Sequence, residues 1–237
     1  MKMHGITING KHSFNDFRLL LNDFTIGTPN KIKVTAKIPY SSQQFDFSTI
    51  MGFQPYGRRT LTFNFNFYDE FSLEQLQSQR IKVLNWLMSS NDDEPILFDL
   101  IKDYYFLGEV VTGPDAQTNW EQTGTLKVVI DAHPFKIAKK FEGDDVWDTF
   151  NFEEDIAQNV QFDIKNNGLV ALYNVGFNPV SPVITVNQPM KIVQDGVTYD
   201  LKIGDNELDG FMINVGTNEI QVIGTGNIEF KFRREVI

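Results

Sequence analysis

The chain has 237 residues and a formal charge of −10, with 41% apolar and 13% aromatic residues, 21 of them Phe. That apolar content is enough for a packed core and excludes a wholly disordered chain. The absence of cysteine excludes disulfides, thiolate metal sites and a cysteine nucleophile. The acidic balance disfavours nucleic-acid binding by bulk charge.

The opening Met1-Lys2-Met3-His4-Gly5 lacks the apolar core of a signal peptide, so the expectation is synthesis and assembly in a cytoplasm. No stretch reaches the ~18 apolar residues of a membrane helix, and membrane insertion is not expected. His4 to Phe14 reads as a β-hairpin around Asn9-Gly10, a pair that tolerates positive φ. Lys31 to Ile38 and Arg59 to Phe67 alternate apolar and polar residues, as half-buried strands do.

Residues 39–58 are neither helical nor a long alternating strand, and Pro39, Gly52, Pro55 and Gly57 break them. They carry Tyr40, Phe45, Phe47, Ile50, Met51, Phe53 and Tyr56, too many large apolar groups for a solvated loop. The expectation is an inter-subunit clasp. One helix is expected near 72–88. Ser72 and Gln75 can form a capping box, and Leu73, Leu76, Val83, Leu84 and Leu87 share one face. Strands are expected at 96–101, 104–111 and 125–131. The long polar connection 112–124 places Trp120 at a protein contact or a loop tip.

The charge changes sharply near residue 140. Residues 1–140 hold 15 basic and 15 acidic side chains, whereas 141–237 hold 6 and 16. The expected domains are 1–140 and 141–237, joined by an acidic stretch whose spacing does not match a calcium-binding EF-hand loop. The second part has strand-like runs at 160–164, 169–175, 182–186, 190–194, 197–203, 211–215, 219–223 and 227–232, separated by turn signals such as Asp195-Gly196. Many short strands at that spacing indicate a β-sandwich or barrel. The fold class is mainly β.

No zinc-protease motif, nucleophile elbow or phosphate-cradling loop occurs. His4 and His12 flank the first turn but lack a third metal ligand. Asp131 and His133 are close in sequence without a marked nucleophile. The expectation is no enzyme, no cofactor and no metal. Trp147, Tyr173 and Tyr199 are the candidate sugar-stacking residues if the second part is a carbohydrate-binding module. A cell-wall hydrolase is a weaker third reading, since no carboxylate pair is marked by its spacing.

Several pieces occur in a meaningful order. They are Gly5-Ile6-Thr7-Ile8-Asn9-Gly10-Lys11-His12-Ser13 with Asp16-Phe17, Arg58-Arg59-Thr60-Leu61-Thr62-Phe63-Asn64-Phe65, the helix, Tyr104-Tyr105-Phe106-Leu107-Gly108, His133-Pro134-Phe135, and Asn178-Pro179 through Pro182-Val183-Ile184-Thr185-Val186. In these the chain resembles the distal tail proteins of siphophages that infect Gram-positive bacteria. The resemblance implies an N-terminal β-sandwich with one helix that forms a hexameric ring at the virion tail tip. It also implies a C-terminal galectin-like sandwich, similar to carbohydrate-binding modules, that projects outward. The implied partners are the tail tube protein, the tape-measure protein and the tail-tip hub or tail-associated protein, with DNA passing through the ring without specific binding.

Overall fold

The structure is a computed structural model that describes residues 3–69, 72–118, 124–143 and 157–237, with the backbone alone at 73, 112–118 and 124. The chain divides into two compact units, Met1–Lys136 with Ile237, and Ile137–Val236. Among the described residues no helix is long and apolar enough to cross a membrane.

In the first unit, β1 (Ile6–Ile8) and β2 (Lys11–His12) form a hairpin across Asn9 and Gly10, both at positive φ. This is the geometry that an Asn-Gly pair favours. The hairpin is shorter than the sequence reading, because the chain turns at Ser13 into a short helix, α1 (Ser13–Phe17). Next come β3 (Leu19–Ile26), β4 (Thr35–Lys37), β5 (Gln44–Asp46) and β6 (Arg59–Phe67). Helix α2 (Leu73–Leu87) starts at Ser72 with the expected capping box and buries Leu76, Val83, Trp86 and Leu87. Among the described residues two helices are therefore present where one was expected; five residues carry too little periodicity to reveal the first.

Strands β7 (Glu94–Phe98), β8 (Tyr104–Thr118) and β9 (Gly124–Ala132) complete a sheet of order β2-β1-β7-β8-β9-β6-β3. The sheet curls. Phe24 on β3 and Phe98 on β7 have three strands between them in that order, yet their ring centroids lie 4.9 Å apart. The two layers of this unit are thus made by one sheet folding over a common core, not by two separate sheets. Leu61, Phe63 and Phe65 of β6 face that core with Ile6, Phe98, Phe106 and Val128. Their burial follows from the strict alternation of β6.

Strand β10 (Lys136–Ala138) straddles the division between the units. In the second unit, β11 (Gln161–Ile164), β12 (Asn167–Asn174), β13 (Val183–Val186), β14 (Met190–Gln194), β15 (Val197–Leu201), β16 (Gly204–Glu207), β17 (Gly216–Ile223) and β18 (Gly226–Lys231) make two four-stranded antiparallel sheets. Their orders are β11-β18-β13-β16 and β12-β17-β14-β15. Ile184, Ile228 and Phe230 from the first sheet pack with Val170, Ile192 and Ile220 from the second in one core, which makes a sandwich. A last strand, β19 (Glu235–Val236), pairs with β10.

The run 211–215 is not a strand. Phe211 and Ile213 are buried, and only isolated bridges form, Val180 with Ile213 and Asn174 with Val215. Conversely, β16 reads Gly-Asp-Asn-Glu and is an edge strand of its sheet that no apolar pattern announces.

Candidate functional site

The segment expected to be a clasp is a projecting arm. Strands β3 and β6 are antiparallel neighbours in register from Ile26 with Leu61, so residues 27–58 leave the sheet and return to it. The root is tied by Gly27 N–H donating to Thr60 O at 2.9 Å, Gly57 N–H to Asn30 O at 2.8 Å and Ile32 N–H to Pro55 O at 2.9 Å. The Gln54 side chain donates to Ile32 O and Pro55 O, closing the same rung. Further out, Phe47 N–H donates to Val34 O, and β4 pairs with β5 from Thr35 opposite Asp46 to Lys37 opposite Gln44. The tip turns at Ile38 to Gln43, with Tyr40 at a φ of 59° and fully exposed.

The sequence alternation at Lys31 to Ile38 suggested a half-buried strand. Instead all three residues of β4 and all three of β5 are exposed. Ile32, Val34, Phe45, Phe47, Ile50 and Met51 are exposed large apolar groups, Ile50 and Met51 at 77% each. Phe45 and Phe47 touch at 6.1 Å between centroids. Phe53 and Tyr56 differ from these four expected interface residues: both are half-buried at the root, and the Tyr56 ring meets Phe135 edge-on at 5.6 Å. Trp120 lies outside the described residues.

Polar groups hold the ribbon together where apolar burial does not. The nearly buried Ser48 hydroxyl accepts from Val34 N–H at 2.8 Å, and the Asp46 carboxylate accepts from Ser48 N–H at 2.9 Å. Lys33 Nζ lies 2.9 Å from the same carboxylate. The hydrogen bond from the Ser48 side chain, then Lys33, hold Asp46 well below the usual carboxylate range. At the end of the arm, Arg58 donates a fork to Asp93 at 2.7 and 2.8 Å and reaches the Asp131 carboxylate at 2.6 Å. These bonds stabilise the charged forms, raising Arg58 and lowering Asp93.

The remaining candidates do not converge. Asp131 is engaged by Arg58, and His133 Nδ1 is buried without a hydrogen-bond partner, so the two form no acid–base pair. His12 caps α1, while His4 is exposed. Among the described residues no three His, Asp or Glu side chains are grouped to hold a metal. Tyr173 on β12 and Tyr199 on β15 sit at opposite edges of their sheet. Tyr199 packs edge-on against Phe211 at 5.4 Å, and Tyr173 is 41% exposed. Trp147 lies outside the described residues. Thus these rings form no shared stacking platform among the described residues.

No family model and no curated protein matches the sequence. Solved structures do. The SPP1 Dit protein (gp 19.1), described as a paradigm of the hub adsorption apparatus in phages infecting Gram-positive bacteria, matches with a TM-score of 0.64 and 12% identity over 98% of this chain and 99% of that one. The phage p2 baseplate in its activated conformation matches with TM-scores of 0.45 in its strontium form and 0.46 in its calcium form. Identities there are 10% and 11%, over 98% of both chains in each case. The chain has the mainly-β fold of the SPP1 Dit protein over nearly its whole length.

Proposed function

We propose that this chain is a structural protein of a phage tail tip, and that copies of it close into a ring, a hexamer by the resemblance, between the tail tube and the host-adsorption apparatus. In this reading the ring leaves a channel for DNA and carries no catalysis. The fold shared with a hub adsorption protein supports the setting. The single observation that carries the ring is the arm at 27–58. A two-stranded ribbon is marginal in water by itself, and this one holds Phe45, Phe47, Ile50 and Met51 in solvent. Covering a large apolar side chain contributes about 1.5–3 kcal/mol, so burial of these four against a neighbour would fix the ribbon and the contact together. An arm on one face that reaches a different face of the next copy is a head-to-tail contact, and such contacts close into rings when the rotation permits.

The test is Phe45→Ser with Phe47→Ser, followed by light scattering during size exclusion and by electron microscopy. Both side chains are exposed, so the monomer should keep its melting temperature. Rings from the parent chain and folded monomers from the variant are the expected result. Rings that persist in the variant at micromolar concentration would remove the arm from the contact.

A further inference from the structure

A second surface of the first unit uses no arm residue. The β1–β2 turn and the last turns of α2 enclose an open cavity of about 420 Å³ lined by Asn9, Lys11, Lys82, Asn85, Trp86 and Ser89. Its floor is rigid. The Trp86 ring stacks on Phe17 with centroids 4.4 Å apart and an interplanar angle of 18°, and its Nε1–H donates to Ile8 O at 2.8 Å. Its wall is fixed too, because Asn9 Nδ2 donates to Ser89 Oγ at 3.1 Å and Ser89 Oγ donates to Trp86 O at 2.8 Å. By contrast, the two cations have no counter-charge among the described residues. Lys11 Nζ stands 5.9 Å from the Phe17 centroid, and neither Lys11 nor Lys82 makes an ion pair among the described residues. On α2 and at its C-cap, Ile81 and Met88 are 59% and 48% exposed.

From this geometry we infer that the cavity is a docking site for an acidic segment of a partner protein. One carboxylate sits between Lys11 and Lys82, and an apolar neighbour rests on Ile81 or Met88. Lys11 and Lys82 both line this cavity, and an anionic side chain between them would be attracted by both. Lys11 lies near the Phe17 ring, and both lysines are exposed, so their attraction for an acid is open to screening by salt. Two lysines on a chain of charge −10 are a poor footprint for a nucleic acid, which takes many phosphate contacts. Exposed Ile81 and Met88 fit a polypeptide, which brings apolar side chains next to its acids.

The experiment titrates the full chain into a fluorescein-labelled peptide, acetyl-Asp-Glu-Leu-Asp-Glu-amide, and reads anisotropy. Saturable binding is expected, weakened about tenfold between about 50 and about 500 mM salt as the charges are screened. Lys11→Glu with Lys82→Glu should weaken it at least about tenfold, and the milder Lys82→Gln by less. Both lysines are on the surface, so circular dichroism of the variants should match the parent. The Trp86 indole N–H resonance should move on binding, which places the peptide at this cavity. The inference is overturned by an absence of saturable binding at millimolar peptide. It is equally overturned by unchanged affinity in the double variant, by equal affinity for the Asn/Gln version of the peptide, or by tighter binding of an oligothymidylate of the same charge. The titration reads the chain whether or not it forms rings.

Discussion

His12 shows how one residue can carry several structural duties that its type does not advertise. Its Nδ1 accepts from Phe14 N–H and Asn15 N–H, both at 3.1 Å, so it is the N-cap of α1. A nitrogen that accepts two hydrogen bonds carries no proton, which leaves Nε2–H to donate to Asp99 Oδ2 at 3.0 Å. The same Asp99 oxygen accepts from Gly5 N–H, and Ser13 Oγ accepts from Ile6 N–H. This closes the first hairpin onto the end of β7. A Cβ at Gly5 would strike Ser13 Oγ and come within 2.8 Å of the His12 ring. His12→Ala should cost about 2 kcal/mol, since it removes a cap and a hydrogen bond to a charged group. His12→Asn should recover about half, because Asn caps well but lacks the reach to Asp99. Urea denaturation measures both, and equal losses would show that capping is not what His12 supplies. Gly5→Ala should be at least as damaging as His12→Ala. None of this was readable beforehand: caps are recognised by Ser, Thr, Asp or Asn, and the His12–Asp99 contact spans nearly ninety positions of sequence.

At the scale of elements, what was legible depended on whether side-chain periodicity survives into the fold. Strand β6 and helix α2 are regular and packed against one core; the β6 pattern named its face, while the α2 pattern named Leu76, Val83 and Leu87 but missed the buried Trp86 and included the half-buried Leu84. Strand β3 went unread because its register slips between Leu21 and Asp23, and a bulge there breaks the alternation. The arm misled in the opposite direction, since Ile32 and Val34 alternate with Lys31 and Lys33 as if half-buried and yet lie open. A pattern reports a face that needs covering, whether its own chain or a neighbour supplies the cover. The arm's internal hold is electrostatic and should depend on pH. Asp46 has a folded-state value depressed below its ordinary 3.8. Its contribution is therefore complete above that ordinary value and is lost as the pH falls through the folded value. Hydrogen exchange at Val34 and Ser48, corrected for intrinsic rate, should show constant protection from neutral pH to about 5 and a loss below about 4. Asp46→Asn should lose that protection at neutral pH. Protection retained by the variant would show that Ser48 and Val34 are held without the carboxylate.

For the whole molecule, the charge changes near residue 140 and the compact units divide at 136/137. The two cores share no residue: one runs from Ile6 to Ala132 and the other from Val160 to Phe232. How the second unit is closed lay beyond the sequence, because it pairs segments from opposite ends of that unit. Ala138 N–H donates to Arg234 O at 3.0 Å, and Glu142 N–H donates to Phe232 O at 2.9 Å. The Glu142 and Arg234 side chains are both buried and lie 3.9 Å apart. Residues 138–142 thus belong to the sandwich they lead into, and a protease should not cut there. A glutamyl endopeptidase has sites in the acidic run beyond them, at Glu153 and Glu154. A cut at those sites leaves 137–142 on the N-terminal fragment while its partners, 232–236, stay on the C-terminal one. If the chain is nicked there, its two fragments should elute together from gel filtration and separate only in denaturant. Deleting residues 233–237 removes Arg234 and β19 and should let the fragments part under native conditions. Fragments of the full chain that elute separately would mean that the pairing of 138–142 with 232–234 is too weak to hold the sandwich closed.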